Sequence, residues 1–106
     1  MEKKDALAAL AALAQETRLD VFRLLVRAGG DGLAAGAIGE AVGVPGATLS
    51  FHLKELKSAG VVDCRRDGRS LIYRADFGAM NDLLRFLTEH CCRGAEPAPR
   101  RARAPA

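Results

Sequence analysis

With 106 residues, 49% of them hydrophobic, the chain carries enough apolar material for one packed domain and too little length for two. No run approaches the roughly 18 to 20 apolar residues of a membrane helix, and the charged, alanine-interleaved N-terminus lacks secretory architecture, which predicts a cytoplasmic protein with no membrane partner. The net charge of +3 sits wholly in residues 93–106, where Arg93, Arg100, Arg101 and Arg103 face Glu96 alone, so the sum by itself does not indicate a nucleic-acid surface.

Leu7, Leu10 and Leu13 recur every third residue among alanines, which predicts a helix over residues 5–14 with a smooth surface suited to close packing. From Glu16 to Arg27, Leu19, Phe22, Leu25 and Val26 fall on one helical face and Asp20, Arg23 and Arg27 on the other. That is the spacing of a core helix, and Gly29 and Gly30 end it. After a loop through Asp31 and Gly32, residues 34–42 predict a short third helix built on Ile38 and Val42. Gly43, Val44, Pro45 and Gly46 make a turn. The fourth helix begins at Ala47, burying Leu49, Leu53 and Leu56 and exposing Thr48, Ser50, His52, Lys54 and Lys57, until Gly60 stops it.

Two strand-like runs, VVDCRR and SLIYRA, flank Asp67, Gly68 and Arg69, and Asp-Gly between such runs predicts a hairpin because glycine supplies the positive φ of a tight turn. Residues 78–92 return to helical spacing with Met80, Leu83, Leu84 and Leu87. The expected domain spans 1–92, mainly α with a β-hairpin wing, and the Pro/Ala/Arg-rich tail 93–106 is expected to be disordered.

Helix, tight turn, helix and basic hairpin, in that order, point to DNA binding. A helix presenting small polar groups can reach base edges in the major groove while nearby lysines and arginines hold phosphates. Between His52 and Arg74 six cations (Lys54, Lys57, Arg65, Arg66, Arg69 and Arg74) meet three acids (Glu55, Asp63 and Asp67), so a basic cluster exists inside the fold. His52 has a second reading, as a partly buried core histidine.

Three cysteines are an odd number for a disulfide framework, and Cys91 and Cys92 are adjacent, where a mutual disulfide is strained. Both are therefore read as free thiols. Two neighbouring thiols suit soft trivalent arsenic or antimony and suit hard ions poorly. The chain has no Cys-x-x-Cys near a βαβ pattern and no phosphate-cradling glycine loop, so no enzyme activity is expected.

The runs ETRLDVFRLL, PGATLSFHLKELKSAGVV and RRDGRSLIYRA resemble the ArsR/SmtB family of winged helix-turn-helix metalloregulators, over residues 5–92. The specific parts are Ser-x-His-Leu-x-x-Leu-x-x-x-Gly and the wing's Arg-x-Gly-Arg-x-x-x-Tyr. The resemblance implies a homodimer built on the first and last helices, and repression of a metal or metalloid resistance operon through double-stranded operator DNA. It implies DNA contacts from Thr48, Ser50, His52 and Lys54 on the recognition helix and from Arg65, Arg66 and Arg69 on the wing. The family's original arsenic box puts cysteines on the helix before the recognition helix, where LAAGAIGEAV has none. Attention therefore moves to Cys91 and Cys92 at the end of the last helix, where a branch of the family carries a vicinal pair. The third sulfur stays open: Cys64 supplies it, an organic trivalent arsenical needs only two thiolates, or a non-protein ligand fills the gap. The alternative function is a thiol-based redox-sensing repressor of the same fold.

Overall fold

The computed structural model describes residues 1–91, so Cys92 and the tail expected over 93–106 lie outside the described residues. Helices α1 (Lys3–Leu13) and α2 (Glu16–Ala28) are followed by a 3-10 turn, Gly29–Asp31, and strand β1 (Leu33–Ala34). Helices α3 (Ala35–Val42) and α4 (Gly46–Ser58) come next, then the hairpin β2 (Val62–Asp67) and β3 (Ser70–Ala75), and finally α5 (Phe77–Thr88). The architecture is mainly helical with a small antiparallel wing, as the sequence predicts.

In α1 the alanines, not the leucines, face the core. Ala6, Ala9 and Ala12 are buried, while Leu7 and Leu10 stand exposed. Both sets share the three-residue spacing, and periodicity alone does not rank them. The small side chains let α1 lie close against α2 and α4, which larger residues would hold apart.

Helix α2 starts where the Gln15 side chain accepts from the Arg18 backbone N–H at 2.9 Å, and it buries Val21, Phe22 and Leu25. Leu19, expected on the apolar face, is exposed. Together with Ile38, Leu49, Leu53, Leu56, Val61, Val62, Ala75 and Leu83, these α1 and α2 residues form one core.

Strand β1 has no counterpart in the sequence reading, which runs the third helix from residue 34. It pairs Leu33 with Tyr73 and Ala34 with Ile72, so the sheet order is β1-β3-β2. Gly32, at φ 72°, lets the chain enter this strand: a Cβ there would collide with the Tyr73 carbonyl. Two residues are too few to show an alternating pattern, so only the partner strand reveals them.

The hairpin has the register Asp67 opposite Ser70, with Gly68 and Arg69 at the turn. Gly68 has φ 63° and Arg69 has no positive φ, the pattern of a type II′ turn. Helix α5 is capped by Asp76, whose carboxylate accepts from the Ala79 N–H at 3.0 Å. It ends at Thr88, short of the expected residue 92: Glu89 is extended and His90 has φ 62°. Cys91 therefore lies past the helix and not on its last turn. Among the described residues no helix is long and apolar enough to cross a membrane.

Candidate nucleic-acid interface

Helix α4 is set against α3 by a short turn in which Gly43 takes the left-handed conformation, φ 70°, and Pro45 precedes the first helical residue. The two helices approach closely: a Cβ on Gly39 would come within 3.3 Å of the Leu49 Cδ2. This contact fixes which face of α4 turns inward. Leu49, His52, Leu53 and Leu56, spaced i, i+3, i+4 and i+7, are buried, and Ala47, Ser50, Phe51 and Lys54 repeat the same spacing on the exposed side. Thr48 and Lys57 are also exposed.

His52 therefore corrects the sequence reading that placed it on the exposed face. It is 8% exposed, in line with its second reading as a core histidine, and its buried Nδ1 has no hydrogen-bond partner among the described residues. The stripe of leucines at i, i+4 and i+7 already implies that i+3 faces inward, so this position is legible in the spacing. Phe51 is the residue that the sequence reading passes over. It is 54% exposed, and its ring meets the His52 imidazole edge to face, with centroids 5.6 Å apart.

The wing sorts its cations by partner. Arg74 Nε bonds Asp63 Oδ1 at 2.8 Å, and the two residues face each other across β2 and β3. The hydrogen bond and the adjacent negative charge both raise the guanidinium pKa further. Arg65 folds back, its Nη1 donating to the Asp31 carbonyl at 3.3 Å. Arg66 and Arg69 are exposed and have no ion-pair partner among the described residues. The surface left for an anionic ligand consists of Lys54 and Lys57 on α4 and Arg66 and Arg69 on the wing, with the guanidinium of Arg65 held at the wing's base.

The cysteines are treated differently by the fold. Cys64 is half-buried on β2 with a free thiol, directly opposite Tyr73. Burial pushes the Tyr73 phenol above its usual range, and its hydrogen bond and charge interaction with Cys64 add to the rise. Cys91 is disulfide-bonded, where the sequence reading expects a free thiol. Among the described residues no three His, Cys, Asp or Glu side chains gather in a way that could hold a metal ion. Cys92, the other half of the expected pair, lies outside the described residues.

Residues 13–65 match the family described as helix-turn-helix domain. The chain is 37% identical over 59 residues to the uncharacterized HTH-type transcriptional regulator YceK of Bacillus subtilis (strain 168), a match covering 56% of this chain and 58% of that relative's length. Among solved structures, an ArsR-like transcriptional regulator from Rhodococcus sp. RHA1 is similar with TM-score 0.70 and 27% identity, covering 79% of this chain and 76% of that one. The homodimeric winged helix-turn-helix DNA-binding domain of a possible ArsR-family transcriptional regulator from Mycobacterium bovis is similar with TM-score 0.67 and 28% identity, covering 83% of this chain and 86% of that one.

Proposed function

The chain belongs to the ArsR family of winged helix-turn-helix transcriptional regulators, and from that premise we propose that it is a homodimeric repressor of a metalloid-resistance operon. It reads double-stranded operator DNA with α4 and leaves it when trivalent arsenic or antimony binds thiolate sulfur at Cys91 and Cys92. The observation that carries the DNA half is the division of α4 into a buried stripe and a face of Ser50, Phe51 and Lys54, beside a wing with Arg66 and Arg69 unpaired among the described residues. Ser50 and Thr48 supply short hydroxyls for base edges or phosphates, and the cations neutralise phosphates and fix register.

The dimer half rests on α1 and α5. Leu7 and Leu10 on one and Leu84 and Leu87 on the other are exposed leucines on two helices in contact, and a second copy covers them. Two recognition helices are then about 34 Å apart, one turn of B-DNA, and read a palindrome. Ligand releases DNA only by binding the DNA-incompetent state more tightly. A thiol site just past α5 bears on that equilibrium because α5 carries interface leucines.

Cys64, half-buried on β2 opposite Tyr73, is the candidate third sulfur. The disulfide at Cys91 favours a second reading, a repressor switched by thiol oxidation. One experiment separates them: fluorescence anisotropy of operator DNA with fully reduced protein, titrated with arsenite or with peroxide, for wild type and Cys91→Ser. Release by arsenite that Cys91→Ser abolishes supports the metalloid reading. Release by peroxide alone supports the redox reading.

A further inference from the structure

The chain has four phenylalanines. Phe22 is buried, Phe77 and Phe86 are partly buried against the core, and Phe51 stands out on the exposed face of α4. Nothing in the fold requires an aromatic ring there. Its neighbours on that face, Ser50 and Lys54, are polar, and the ring lies one helical turn from each of Ala47 and Lys54, near the middle of α4.

We infer that Phe51 is a specificity-determining residue whose ring contacts the 5-methyl group of a thymine in each operator half-site. The inference rests on the DNA-binding reading of α4. A phenyl ring neither donates nor accepts hydrogen bonds, so the one base-edge feature it can distinguish in the major groove is that methyl group. The ring is held ready for this. Its edge-to-face contact with His52, which is itself anchored in the core, restricts its rotamers before DNA arrives, and a pre-positioned side chain loses less entropy on binding. Ser50 and Lys54 flank it with a hydroxyl and a cation, placing hydrogen-bonding and phosphate contacts on either side.

The test begins by finding the operator. Duplexes are selected from a randomised library by the wild-type protein, and each thymine of the selected site is then replaced by deoxyuracil, which removes only the methyl. The expected result is a roughly three- to tenfold loss of wild-type affinity at one symmetry-related thymine per half-site, a loss that Phe51→Ala does not show and Phe51→Leu shows in part. Because Phe51 is exposed, thermal melting of Phe51→Ala is expected to match wild type, which separates a binding defect from an unfolded protein. The inference is overturned if no thymine replacement affects wild type, if the same sensitivity persists in Phe51→Ala, or if Phe51→Ala changes the oligomeric state. Failure to enrich any duplex overturns the DNA-binding reading itself.

Discussion

Arg74 and Asp63 face each other across the wing and are joined by a hydrogen-bonded ion pair of 2.8 Å, so one of the six cations between His52 and Arg74 is engaged within the protein. A mutation that removes one phosphate-neutralising cation lowers the salt slope of binding by about one. Arg66→Ala and Arg69→Ala are therefore expected to weaken DNA binding and flatten its salt dependence by that amount each. Arg74→Ala leaves the slope unchanged. Anisotropy titrations across a salt series measure this, and an equal slope change for all three variants sinks the assignment.

His52 is buried, and its Nδ1 has no hydrogen-bond partner among the described residues. An unsatisfied buried polar atom costs about 1 to 3 kcal/mol, and an apolar group of similar shape removes that cost. His52→Leu is expected to melt at or above the wild-type temperature. His52→Ala leaves a cavity and is expected to lose roughly 2 kcal/mol or more. Urea denaturation of the pair decides it: a Leu variant as unstable as the Ala variant would mean that the imidazole is satisfied in solution.

Gly32 and Gly68 both have positive φ, but only Gly32 is also crowded. Gly68→Ala is expected to cost about 1 kcal/mol, the penalty of left-handed backbone in open space. Gly32→Ala adds a collision with the Tyr73 carbonyl and is expected to cost about 2 kcal/mol or more. Equal losses on chemical denaturation would contradict the close approach of β1 to β3.

Leu84 is 55% exposed on α5. If a second copy covers it, Leu84→Glu buries a carboxylate at the interface and yields a folded monomer near 11.2 kDa by sedimentation equilibrium. Operator affinity then falls by about two orders of magnitude, since the second half-site contact is no longer tethered. A Leu84→Glu protein that remains dimeric refutes this face as the interface.

The Tyr73 phenol has a raised pKa, so the folded state favours its neutral form. Its contribution to stability is full below the unfolded value of about 10 and is lost as pH rises through the folded value. Tyr73→Phe is expected to flatten the alkaline limb of a pH–stability profile above about pH 10. An unchanged limb in the variant assigns the alkaline loss to other groups.

Much of the fold is legible in the sequence because it is local. Alternating and helical periods, Asp67-Gly68 at the hairpin and the Gly43-Val44-Pro45 turn depend on backbone preferences within a few residues, and the observed elements follow them. The site is legible as a set of residues and less so as a surface. Thr48, Ser50, Lys54, Arg66 and Arg69 are exposed as expected, whereas His52 turns inward, Phe51 outward, and Arg65 and Arg74 toward partners within the protein.

By itself the sequence determined the order of the five helices and the hairpin and the position of the basic cluster, since periodicity and turn chemistry act over one or two helical turns. Only the tertiary structure decided which three-residue stripe of α1 faces the core, that Leu33 and Ala34 pair with β3, and which cations of the wing remain unpaired among the described residues. Those outcomes depend on partners distant in the chain: α2 and α4 for the alanines, Tyr73 for Leu33, Asp31 for Arg65. A side chain's own spacing carries no record of what the fold will bring against it.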